Sequence, residues 1–201
     1  HNVPKKFRDF PFTLKIGNFG VVGKDDFKGD TLTAIKEFKV VVDIFSVIKG
    51  DAIAVNGIYL ISPKINAKVL HNGKANWDIA IPDTTAKTPA DTSAPSKFAI
   101  KIKKWVMSDG NITYLDKKGN TFAQIKNLNH EGKGDLTQDI FDITTKTTID
   151  ELTVEQEGTR YFNKNKFAAD LNINVDSKNS KYTFKDNQFT LNNFVFGFDG
   201  S

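Results

Sequence analysis

Apolar and polar residues alternate along most of this chain. Phe12, Leu14 and Ile16 flank Thr13 and Lys15, and Phe98, Ile100 and Ile102 alternate with Lys101 and Lys103. Phe167, Ala169, Leu171, Ile173 and Val175 are set between Asp170, Asn172, Asn174 and Asp176. A period of two with one apolar side predicts half-buried antiparallel strands. Between such runs lie SDGN (108–111), DKKGN (116–120), EGKGD (131–135), NKNK (163–166), DSKNS (176–180) and KDN (185–187). Turn chemistry at this density predicts a meander of hairpins and not βαβ units. Near the C-terminus the apolar register changes between Phe189, Leu191 and Phe194, Phe196, Phe198. An extra residue near Asn192-Asn193 is expected to form a bulge that curves the sheet.

One segment departs from period two. In VVDIFSVIKGD, Asp43 is a cap, Ile44, Phe45, Val47 and Ile48 fall on one side of two turns, and Gly50 suits the left-handed residue that ends a helix. The expected fold is therefore mostly β: a curved antiparallel meander sheet, open groove or sandwich-like, with one short α-helix near 43–49.

The pattern also recurs. FTLKIGNFGV (12–21) matches FAIKIKKWVM (98–107), and TLTAIKEF (31–38) matches TFAQIKNL (121–128), in the same order. Between the copies, PDTTAKTPADTSAPS holds three of the six prolines and no large apolar residue, too little to offset the entropy of ordering it. The organisation read from this is a first β-unit with the helix at 1–82, a Thr/Pro/Ala linker loop at 83–97, and a second β-unit at 98–201 that continues the same sheet.

Composition narrows the chemistry. A hydrophobic share of 39% over 201 residues is enough for one elongated domain or two small ones. No cysteine is present, which excludes a disulfide framework and thiolate metal sites. The net charge is +4, and all basic residues but Arg8 and Arg160 are lysine, a poor reader of phosphates and bases, so no nucleic-acid partner is expected. No apolar run is long enough to span a membrane as a helix, and a start at His1 reads as a piece excised from a longer chain.

Catalytic constellations are not evident. His71 beside Asn72-Gly73 and His130 at the EGKGD cluster read as solvated turn histidines. Glu155 and Glu157 share the strand spacing of a paired-carboxylate site but adjoin Gly158, and read as the wet side of a hairpin. Asp25-Asp26 and Asp135 with Asp139 lack calcium-loop spacing. The expectation is no catalytic residue, no metal and no cofactor.

Four segments carry a family resemblance: Asp43 to Gly50, with Phe45, as D-[IL]-F-S-[LV]-[IL]-x-G; Ile58 to Ile65, with Pro63, as I-x-L-x-x-P-x-I; Gly73 to Asp78, with Asn76 and Trp77, as G-x-x-N-W-D; and Met107 to Asp116, with Asp109, Gly110, Tyr114 and Asp116, as a DG-x-x-x-Y-x-D hairpin. Together they resemble the AsmA-like proteins of the diderm bacterial envelope, relatives of TamB. The resemblance covers roughly residues 10–200, the last third by texture alone. It implies a periplasmic body, anchored in the inner membrane by an N-terminal helix absent from this sequence, that serves outer-membrane biogenesis by moving phospholipid along an open β-groove. It also implies other segments of the same longer chain as partners. Strands with one apolar and one Lys/Asn/Asp side are consistent with such a conduit. The lipid-contact candidates are Leu14, Ile16, Ile100, Ile102, Leu171, Ile173 and Val175. The alternatives are an envelope assembly scaffold without ligand, and a carbohydrate-binding or adhesive β-sandwich whose platform draws on Trp77, Trp105, Tyr59, Tyr114, Tyr161 and Tyr182.

Overall fold

The computed structural model describes residues 11–49, 53–79, 100–136 and 138–201. Gly50 and the whole linker at 83–97 lie outside them. Among the described residues the strands are β1 (Pro11–Val22), β2 (Thr31–Asp43), β3 (Ile53–Ile61), β4 (Lys64–Val69), β5 (Ile100–Ile102), β6 (Lys104–Asp116), β7 (Thr121–Gly134), β8 (Ile140–Gln156), β9 (Thr159–Asp176), β10 (Lys181–Leu191) and β11 (Phe194–Gly200), with a helix, α1 (Ile44–Lys49), and a 3-10 turn at Asp25–Phe27. All eleven strands form one sheet.

The sheet is an antiparallel meander with one parallel seam. β2 pairs β1 along its length on one side, and β3 followed by β4 on the other. From β6 to β11 each strand pairs antiparallel with the next. The two halves meet where β3 and β4 run parallel to β5 and β6, in one constant register from Ile53↔Ile100 through Ile58↔Trp105 to Val69↔Asp116. A parallel pair needs a long crossover, and residues 70–99 supply the connection. The same sheet therefore runs on both sides of the linker.

α1 lies where expected. Phe45 N donates to Asp43 Oδ1 at 3.0 Å, and Ser46 Oγ donates to Asp43 O at 2.7 Å while accepting from Ala54 N, tying the helix to β3.

Three sequence expectations need correction. First, Asn192-Asn193 is not a bulge but the two-residue turn between β10 and β11: Leu191 pairs Phe194 and Asn192 has φ 52°. Reversing the chain puts Phe194, Phe196 and Phe198 opposite Leu191, Phe189 and Asn187, so the register change is a hairpin. Second, SDGN, NKNK and KDN do not reverse the chain. They interrupt the long strands β6, β9 and β10, where Asp109, Lys164 and Asp186 adopt φ of 54°, 55° and 55°. Third, the matched blocks are not equivalent in the sheet. Ile16 faces Phe38 within the first pair of blocks, whereas Trp105 and Met107 face Gly132 and His130, beyond the second block. Similarity of alternating Lys-rich strands does not fix which residues pair.

The interruptions line up. Asn18, Ser62, Asp109 and Asn127, all with φ near 50°, sit at one level of neighbouring rows. Ser62 N donates to Ser108 O and Asn111 N to Pro63 O, so the break between β3 and β4 abuts the break in β6, with Pro63 fully buried between them. The apolar spacing lengthens from two to three across this line, as from Ile16 to Phe19, Ile125 to Leu128 and Ile149 to Leu152. Each row thus inserts a residue, and the strands bend together.

Ladder bonds lost at such places are replaced by side chains. Asn76 Nδ2 donates to Asn66 O at 2.7 Å and Asn76 Oδ1 accepts from Lys68 N at 2.9 Å, extending the free edge of β4. Asn187 does the same for Asn172, accepting from its N–H at 2.6 Å and donating to its carbonyl at 3.2 Å. Both asparagines are buried at 3% exposure.

Candidate functional site: an uncovered apolar face

Register decides which residues share a face. Leu14 pairs Val40, Val40 pairs Ile58, Ile58 pairs Trp105, and the line continues through Gly132 and Thr145 to Leu171. One step along, Ile16, Phe38, Leu60, Met107 and His130 lead through Thr147 and Ala169 to Phe189 and Phe196. On the other side, Phe12, Val42, Val55 and Ile102 form a third line, and Ile143 pairs Ile173, which pairs Phe184. Paired residues point the same way, and alternate residues of a strand do too. The structure therefore brings Leu14, Ile16, Ile102, Leu171, Ile173 and Val175 onto one face, and Ile100, paired with Ile53, falls in the same register. No residue in these lines is charged. The ion pairs Lys15–Glu37, Lys104–Glu131 and Lys133–Glu131 belong to the opposite face, where the two lysines hold the Glu131 carboxyl below the usual glutamate range.

No second layer covers the face among the described residues. The substantial contacts between elements are between sheet neighbours, apart from α1 on β3. Among the described residues few apolar side chains are buried, Val55, Pro63, Ile149, Ala169 and Val175 among them. Large side chains stay open: Phe12 at 53%, Leu14 at 48% and Ile16 at 43% on β1, Phe196 at 44% and Phe198 at 41% on β11. Phe189 stacks on Phe196 with centroids 4.8 Å apart, and Phe184 lies 5.7 Å from Phe198, so the β10–β11 end is an aromatic surface. A protein domain ordinarily packs two layers about a core, and an apolar surface of this extent marks an interaction site. The opposite face carries a shallow depression lined by Ser108, Glu131, Lys133, Lys146, Asp170 and Asn172, in which both signs of charge are present.

The aromatic residues do not converge. Trp105 lies flat over Gly132, where a Cβ would stand 2.0 Å from the ring. Tyr59 folds over Gly57 on the other face beneath Lys39 Nζ, 4.0 Å from its centroid. Trp77 stacks on Tyr114 at 6.3 Å, while Tyr161 and Tyr182 stand exposed on different strands. The described strands form one sheet, and among the described residues these aromatic side chains form no shared platform.

Other motif residues have structural roles. Gly73 turns the chain at φ 83°, Asp78 Oδ2 accepts from Ala75 N at 3.4 Å, and Asp116 Oδ1 accepts from Lys118 N and Gly119 N to close the β6–β7 turn, with Tyr114 OH donating to Asp116 Oδ2 at 3.3 Å. Gly110 admits the Met107 side chain, whose Sδ would stand 2.9 Å from an added Cβ. His71 is exposed in a turn, as expected, and Glu155 pairs with Arg160 at 3.0 Å beside the Glu157-Gly158 turn. His130 is not a solvated turn residue: it is half-buried on β7 facing the apolar side, accepting from Trp105 Nε1 at 3.0 Å and bonded to Thr147 Oγ1 at 2.8 Å. The alternation Leu128, His130, Gly132 and Ile143, Thr145, Thr147, Ile149 carried that signal. Among the described residues no group of three His, Asp or Glu side chains is placed to hold a metal.

No family model, curated protein or solved structure matches the chain.

Proposed function

We propose that the chain is a periplasmic segment of an AsmA-like envelope protein, without enzymatic activity, that holds phospholipid acyl tails against the apolar face and passes them between membranes. One observation carries the reading: a single-layer sheet presents an uncharged apolar surface from β1 to β11 with no described element against it. At about 25 cal/mol per Å² of apolar area removed from water, covering such a surface is strongly favourable, and acyl chains match it because they need no hydrogen bonds. The motif segments support the family reading from the sequence side. The small number of buried apolar side chains among the described residues favours a face covered by a ligand over a ligand-free scaffold.

Native mass spectrometry of the purified chain, followed by solvent extraction, tests this. Phospholipid near stoichiometric amounts is the expected result; a ligand-free mass in a folded protein never exposed to added lipid or detergent overturns it.

A further inference from the structure

Two of the apolar lines share a polar patch. His130 of β7 and Thr147 of β8 interrupt a line that is otherwise Leu60, Met107, Ala169 and Phe189, and Thr145 precedes Leu171 in the next line. An indole N–H can only donate, so the 3.0 Å bond from Trp105 makes His130 Nε2 an acceptor and leaves the ring proton on Nδ1. Nδ1–H then donates to Thr147 Oγ1 at 2.8 Å. The Thr147 hydroxyl proton must seek a different acceptor, and no described residue supplies one. Thr145 Oγ1, opposite Gly132, has no hydrogen-bond partner among the described residues either. Two hydroxyl donors on alternate residues of β8 thus stand on the apolar face with no charge in their lines. A phosphate or carboxylate favours a cation or several backbone N–H groups, and neither is present. A neutral carbonyl oxygen asks only for a donor.

We infer that Thr145 and Thr147 bind the acyl-ester carbonyls of a glycerolipid whose tails lie on the apolar face, with His130 and Trp105 as positioning residues that orient the Thr147 hydroxyl. This rests on the lipid-holding reading and adds where along the face the lipid is anchored and by which group. The charged headgroup then lies away from this patch.

The test compares two lipids of identical chains and phosphocholine headgroup, one diacyl with ester links and one dialkyl with ether links, by equilibrium binding to the whole chain. The ester lipid is expected to bind about 3- to 10-fold tighter per hydrogen bond made. Thr145→Val, which keeps the branched shape and leaves the His130 bond intact, should lose its part of that preference, and Thr147→Val the rest. Thr147→Ser, which retains the hydroxyl, should keep it. Equal binding of both lipids by the unaltered protein overturns the carbonyl site and leaves the lipid face standing. Failure of both lipids to bind overturns the two readings together. A preference that survives Thr145→Val and Thr147→Val in a protein with an unchanged circular dichroism spectrum moves the carbonyl site elsewhere.

Discussion

Asn187→Ala should lower stability by about 2–4 kcal/mol, because the part-buried N–H and C=O of Asn172 lose two hydrogen bonds worth about 0.5–1.5 kcal/mol each and the buried Asn187 side chain leaves a void. Asn187 is 3% exposed and sits where β10 is out of register with both neighbours, between Phe184 and Gln188 on the β9 side. Its amide completes the ladder that the inserted residues break, accepting from Asn172 N–H and donating to Asn172 C=O. For a chain of this size the loss corresponds to a melting temperature lower by roughly 5–15 °C. Asn174→Ala is the control: its side chain donates to Asp142 Oδ1 on the exposed face, and its removal should change stability within about 0.5 kcal/mol. Thermal unfolding followed by circular dichroism distinguishes the two; equal effects would mean that the buried amide does not carry the bulge.

The second large effect concerns the face itself. Leu14→Asp with Ile16→Asp places two carboxylates on the edge strand β1, where the native side chains are about half exposed, so little packing is lost. Each charge opposes an acyl chain strongly, since an ionised group driven into hydrocarbon without a partner costs several kcal/mol or titrates to its neutral form. Co-purified lipid measured by extraction should fall at least tenfold, while strand content is unchanged. Thr144→Asp, whose position pairs with Asn172 on the opposite face, should retain lipid fully. Loss of lipid in Thr144→Asp as well would show that the effect is one of net charge and not of the face.

The element types were legible because period two is unambiguous over long runs such as Phe167 to Val175, and α1 because Asp43 combines a cap with a helical apolar cluster. The face was legible for the same reason: register multiplies one strand's alternation across its neighbours, so Leu14 and Leu171 lie in one line although far apart in sequence. Chain reversal was not legible from polar clusters. Asp, Asn, Ser and even Lys tolerate left-handed φ, and that serves a hairpin turn at Asn192 and a bulge within a strand at Asp109 or Lys164 alike. What separates them is whether the following strand returns or continues, which is a matter of pairing and not of local propensity. The parallel seam was hidden for a related reason, since the segment that crosses over has no periodicity of its own. The turn expected at His130 rests on the two glycines that follow it, Gly132 and Gly134, whereas Gly132 is there to admit the Trp105 ring.

The central claim is that acyl chains lie on the apolar face, and Trp105 is placed to report it. In a Trp77→Phe variant Trp105 is the only tryptophan, lying over Gly132 in the line between Ile58 and Thr145. Fluorescence should be measured as the protein is loaded with phospholipid carrying bromine at different depths of the chain. Mid-chain bromine, which quenches only at close range, is expected to quench Trp105 strongly and saturably at about one lipid per protein. Bound lipid that leaves Trp105 unquenched at every bromine position would contradict it, placing the tails away from this face.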